Sequence, residues 1–235
     1  MKNLKDLRGI PFLLAFILVT TAWNQAVSQD PVTENRDVKS FSELSVSGAY
    51  KVILIQGDKE GVVVSGDPVS VKETRTTVQG TVLRIHHEQD RNKIKSVQVT
   101  VYFKSLGSVN CSGAVTLSSE QQLKFGNLEL GNSGASSIEL DLLAGDIDIE
   151  ISGSGALKLS GKAQTVDLDI SGSGSLKASE LQVQGCEVNI SGAGVAEVDV
   201  IQALEVSVSG SGVVRYKGDP KITQDLSGAG KVMKM

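Results

Sequence analysis

Aromatic side chains are scarce: they make up 4% of the 235 residues, with a single tryptophan. A surface that stacks bases along a strand needs a series of such rings, so that mode of binding has few candidates. Histidine is rarer still. His86 and His87 are the only two, and neighbours on a strand point to opposite faces, so they do not chelate one metal together. Cys111 and Cys186 are the only cysteines, and no Cys/His cluster has zinc spacing. There are 4 prolines against 25 glycines. Glycine without proline argues for repeated tight turns and against collagen or a disordered linker. Lysine and arginine form no run, and the net charge is −4. Nucleic-acid binding, which asks for a clustered basic face, is thereby excluded.

The N-terminal segment has the pattern expected of a leader. Lys2, Lys5 and Arg8 precede an apolar run over residues 10–19, and Ala26-Val27-Ser28 offers small residues at a cleavage site before Gln29. Residues 1–28 therefore read as a signal peptide. The run is shorter than the ~20 apolar residues a membrane span needs. No cysteine follows it to carry a lipid, and no later segment of the mature chain is apolar enough to span as a helix. Residues 29–40 read as an N-terminal tail and residues 41–235 as one domain.

What organises that domain is a repeat, the first thing to look for in a chain. Ser-Gly recurs at Ser47, Ser65, Ser112, Ser133, Ser152, Ser171, Ser191, Ser209 and Ser227, and from Ser112 onward the spacings are 21, 19, 19, 20, 18 and 18 residues. An alternating apolar run leads into each late copy: Ile147, Ile149 and Ile151; Val166, Leu168 and Ile170; Cys186, Val188 and Ile190; Leu204, Val206 and Val208. Period two means a strand with one buried face. A second alternation follows each corner, as at Leu157 and Leu159 after Ser152. One repeat is strand, Gly-rich corner, strand and return.

A unit of 18–21 residues is too short for a helical-pair solenoid or a propeller blade. It fits one rung of a parallel β-helix, stacked at about 4.8 Å on the next. The fold class is all-β, a single-stranded right-handed parallel β-helix of about eight to ten rungs by its period. Right-handedness is favoured because the strict hexapeptide pattern of left-handed coils is absent. Cys111, Ile151, Ile170, Ile190, Val208 and Leu226 then form one core column. Gly153, Gly155, Gly172, Gly174, Gly192, Gly194, Gly210 and Gly212 are the structural corners, where φ > 0 carries no Cβ penalty. The corner serines are placed to bond corner amides and one another. A phosphate cradle is a poor alternative, because such loops lead into a helix. Residues 41–55, 61–64, 82–86 and 97–103 also read as strands. Their uneven spacing suggests a cap with larger loops, or alternatively a separate small β-domain.

The segment Phe41-Ser42-Glu43-Leu44-Ser45-Val46-Ser47-Gly48-Ala49-Tyr50-Lys51-Val52 resembles the start of the head GIN domain, a family described as autotransporter adhesins. Val63-Val64-Ser65-Gly66-Asp67, Leu83-Arg84-Ile85, the SGSG series and the closing Tyr216-Lys217-Gly218-Asp219-Pro220 are similar to its later parts. The resemblance covers roughly residues 40–235. It implies a β-helix like that of pectin lyases without their catalytic residues, and an adhesive role. It defines no functional residues, and this chain shows no translocation barrel. With the leader, it implies export to the periplasm or cell surface of a Gram-negative bacterium.

Five acids sit four residues before successive repeat serines: Glu129, Asp148, Asp167, Glu187 and Glu205. Stacked rungs place them in one outward column, where like charges repel. Ca²⁺ binding is one reading, since that ion takes six to eight oxygens, but the spacing of a dedicated Ca²⁺ loop is missing. Attraction of a basic partner is another. The plainer reading is a solvated face that keeps a long sheet from aggregating. Asp148, Asp167 and Asp169 raise the question of a pectin-lyase-like enzyme, yet a flat ladder offers no division into acid and base. The two cysteines fall in different columns about four rungs apart, roughly 19 Å at that spacing. That is too far for a disulfide, and both read as free core thiols. The chain is thus read as a non-enzymatic binding module without a cofactor, for a glycan or a cell-surface protein. The alternative is an envelope assembly element that oligomerises through one face.

Overall fold

The computed structural model describes residues 30–87 and 97–235. The signal peptide expected over residues 1–28 lies outside them.

Alternation does what it promised: the chain coils, and equivalent strands stack in parallel. Each coil has two long sides. On the first, here face A, β2 (Glu43–Gly48), β8 (Ser108–Gly113), β11 (Leu128–Gly134) and β13 (Asp146–Gly153) are followed by the second halves of three long strands that run through the return. These are β14 (Ala156–Gly172), β15 (Ser175–Gly192) and β16 (Val195–Gly210), and β18 (Lys221–Gly228) ends the stack. On the second, face B, β3 (Tyr50–Gln56), β9 (Thr116–Ser119), β12 (Ser137–Leu143), the first halves of β14, β15 and β16, β17 (Val213–Lys217) and β19 (Lys231–Lys234) stack likewise. From β8 to β18 seven coils follow in chain order. The protein is an all-β parallel solenoid.

Register is strict where the repeat is strict. Ser133, Ser152, Ser171, Ser191, Ser209 and Ser227 face one another in successive coils. The core column also forms, running Cys111, Asn132, Ile151, Ile170, Ile190, Val208, Leu226. Ile151 and Ile170 are at most 1% exposed. Burying such a side chain contributes roughly 1.5–3 kcal/mol, and the burial is repeated at Ile190 and Val208.

The two glycines of a corner have different jobs. Gly172 sits at φ +115, and a Cβ there would lie 2.8 Å from the carbonyl oxygen of Gly153 one coil away. Gly174 has no unusual φ. A Cβ there would collide with Cγ2 of Ile151, so this position needs room rather than conformational freedom. One corner amide bonds a serine hydroxyl as expected, Val115 N–H donating to Ser136 Oγ at 3.4 Å, but this is not the general pattern. The recurring corner bond runs to the neighbouring coil's glycine carbonyl, as from Ser173 N–H to Gly153 O at 2.9 Å. A hydroxyl–hydroxyl bond joins Ser112 to Ser47 at 3.1 Å.

The N-terminal part departs from chain order. β6 (Val82–His87) and β7 (Val97–Phe103) stack outside β2 and β3, so the earlier coil is the inner one. The chain then passes the inner coil to start β8, held by Gly57 N–H to Phe103 O at 2.9 Å and Gly107 N–H to Ser42 O at 2.8 Å. Antiparallel strands close this end. β4 (Gly61–Gly66) pairs with β7, and β5 (Thr74–Gln79) pairs with β6. Residues 29–40, expected as a tail, contain β1 (Val32–Arg36), which pairs antiparallel with β4. Between β4 and β5, α1 (Pro68–Glu73) buries Val71. Asp67 caps it by accepting from Val69 N–H at 3.2 Å. The Arg36 guanidinium ties these pieces together, donating to Val71 O at 2.8 Å and to Thr74 O at 2.5 Å.

Candidate functional site

The acid ladder exists as a register-aligned column. Glu129, Asp148, Asp167, Glu187 and Glu205 are paired successively across β11, β13, β14, β15 and β16. All five are exposed, because their neighbours in sequence, such as Leu168 and Val188, occupy the core side of the same strands. A second column beside it holds Glu150 and Asp169, followed by Asn189. From β11 through the second half of β16, no outward position of face A carries lysine or arginine. The polar contacts there are modest: Thr165 Oγ1 donates to Asp146 at 2.6 Å and Asn189 Nδ2 to Glu187 at 3.3 Å.

One-sign stacking has an electrostatic consequence. The Asp167 carboxyl is held above the usual aspartate range, first by the water it loses in the packed ladder and then by the charges on Glu187, Asp148 and Asp169. The ladder is a line and not a cage. Among the described residues, no three His, Cys, Asp or Glu side chains gather closely enough to hold a metal ion. Nor does face A enclose a ligand. Its hollows are open grooves, one of about 250 Å³ lined by Asn110, Glu129, Asp148, Glu150 and Asp169. Asp148, Asp167 and Asp169 belong to this open face.

Cys111 and Cys186 are free and buried in different core columns, with β11, β13 and β14 between their coils. Burial pushes each thiol up to about 12, so neither is a ready nucleophile. His86 and His87 do separate. His87 stacks on Tyr50 with ring centroids 4.4 Å apart, a contact that adjacency in sequence does not reveal. Asn132 is a second unforeseen feature. It takes a core position between Cys111 and Ile151, is 2% exposed, and donates to Ser136 O at 3.2 Å. The polar residue in an otherwise apolar column was the available signal.

Stacked parallel coils and a register-aligned ladder of exposed carboxylates define a β-solenoid with one strongly acidic face. Residues 40–220 match the family model "Putative auto-transporter adhesin, head GIN domain", and the chain belongs to that family. A search of curated proteins found no match. Among solved structures, the chain is similar to a "putative adhesin" from Bacteroides fragilis, with a TM-score of 0.82 and 21% identity over 88% of this chain and 98% of that one. It is also similar to a "putative lipid binding protein" from Parabacteroides distasonis, with a TM-score of 0.68 and 22% identity over 88% and 98%. A "putative adhesin" from Parabacteroides merdae gives 0.68 and 20% over 88% and 97%. At these identities the likeness shows the fold alone. The family and the adhesin relatives are described by adhesion and not by an enzymatic activity.

Proposed function

We propose that the protein is an exported, non-catalytic binding module that uses face A to engage glycans or cell-surface partners. The observation that carries this reading is the register-aligned ladder of exposed carboxylates with no basic residue on the same stretch of face A. A polymeric or clustered ligand meets the same group at every coil, so weak contacts sum over the length of the face. A cationic partner would bind directly, and an acidic glycan through bridging Ca²⁺. Catalysis finds no support in this geometry, because a glycosidase needs two carboxyls in contrasting environments across a scissile bond.

The test is retention of the purified protein on a panel of envelope and host polysaccharides and basic peptides, with and without Ca²⁺, scored also for new chain ends. Retention without new ends is expected. The triple variant Asp148→Asn, Asp167→Asn, Glu187→Gln should lose it while keeping its circular dichroism spectrum. New chain ends that vanish in Asp167→Asn would overturn the non-catalytic reading. Retention indifferent to the triple variant would overturn the choice of face.

A further inference from the structure

The geometry points to a self-pairing edge: the coil of β18 and β19 joins two copies of this chain through antiparallel β18 strands. A solenoid core must be covered at both ends. At one end β4, β5 and α1 cover it. At the other, β18 is bonded to β16 and β19 to β17, and no described strand lies on their far sides. Leu226 continues the core column beyond Val208, yet it is 38% exposed, with Ile222 at 37% and Met233 at 40%. An open edge beside exposed apolar groups is a template for another strand.

The edge itself says which strand. Lys221-Ile222-Thr223-Gln224-Asp225 carries opposite charges two residues either side of Thr223. Lys221, Thr223 and Asp225 share the outward face, while Ile222 and Gln224 share the core face. An antiparallel pair about a twofold axis at Thr223 sets Lys221 opposite Asp225 of the second copy, twice. Thr223 meets its own copy, and Ile222 meets Gln224. Every residue keeps its face, and opposite charges and Thr–Thr pairs across strands stabilise. Neither Lys221 nor Asp225 has an ion pair with a described residue. Once the pair forms, the β18 edge of each copy is occupied by the other, so pairing about the twofold closes at two copies and does not run on into a fibre. The twofold passes through the sheet, so both A faces look the same way. If face A is the binding surface, the pair doubles its length, and this consequence alone rests on that reading.

The test is sedimentation equilibrium of the full chain from about 1 to about 100 µM, a span that brackets micromolar pairing. The expected mass rises to twice that of one chain. Asp225→Lys and Lys221→Asp should each weaken pairing about tenfold or more, since each turns two attractive cross-strand pairs repulsive. The double variant Lys221→Asp, Asp225→Lys should restore it. A single-chain mass at the highest concentration would overturn the proposal. So would a pair that ignores the single reversals or that the double swap does not rescue. None of these readouts depends on whether a polysaccharide binds.

Discussion

Faces A and B are built by the same coils, yet they treat charge in opposite ways. On face A carboxylate stacks on carboxylate from β11 to β16. On face B one outward column reads Glu139, Lys158, Lys177, Glu197, Arg215, and its ends pair: Lys158 with Glu139 at 2.7 Å and Arg215 with Glu197 at 3.2 Å. Parallel in-register stacking makes like meet like whenever a repeat is faithful. Face B relieves this by letting its repeat drift, so that only Lys158 and Lys177 meet as like charges in that column, and face A does not. The fold therefore tolerates a mixed column, and the uniform acid column is a property of face A beyond what coiling requires. Core and corners are common to both faces, while charge separates them.

The largest effect should come from breaking what the faces share. Ile170 lies between Ile151 and Ile190 and is 1% exposed. Ile170→Ala removes three carbons from a packed column and should cost about 3 kcal/mol. Both faces should melt together in one denaturant transition, read by circular dichroism. Two separated transitions would mean that the faces are independently stable. Gly172→Ala comes next, because its φ of +115 and the Gly153 carbonyl 2.8 Å away oppose a side chain. Its cost should be about 1–3 kcal/mol, and a neutral result would show that the corner can relax.

The sequence made the shared parts readable and the unshared parts less so. Columns and corners follow from period two and from the Ser-Gly spacing, since one coil's register repeats in the next. The ladder from Glu129 to Glu205 was legible for the same reason. The cap was not, because it has no repeat. Asp67-Pro68 is a helix-start signal, an N-cap followed by a proline at the first turn, but in a chain of strands a single-turn-and-a-half helix leaves no periodicity to see. β1 pairs with β4 over a sequence distance that no local pattern encodes. The reversed order of the two N-terminal coils is likewise invisible, since stacking β6 outside β2 preserves every alternation.

A smaller effect sharpens the contrast through pH. The folded-state pKa of Asp167 is raised, so its ionised form is disfavoured by folding. The destabilisation is fully present above that raised value. It fades as pH falls through it and is gone below 3.8, the ordinary value kept by the unfolded chain. Asp167→Asn should therefore raise the melting temperature at pH 7, with a gain of about 0.5 kcal/mol, the size of a like-charge cross-strand pair. The gain should disappear below pH 3.8. A variant less stable than the parent at pH 7 would mean that the ladder is compensated after all.

The smallest effect belongs to face B and should have the opposite sign. Arg215→Met keeps most of the side-chain length but removes the ion pair with Glu197. Partly exposed pairs of this kind contribute at most about 1 kcal/mol, so a slight fall in melting temperature is expected. Salt then separates the two faces within one experiment. Near 1 M salt the screening length is about 3 Å. Both the gain in Asp167→Asn and the loss in Arg215→Met should shrink toward the parent from opposite sides. If instead the Arg215→Met loss survives high salt, packing of the arginine stem over face B is what holds the column. The two faces would then differ in how they pack as well as in charge.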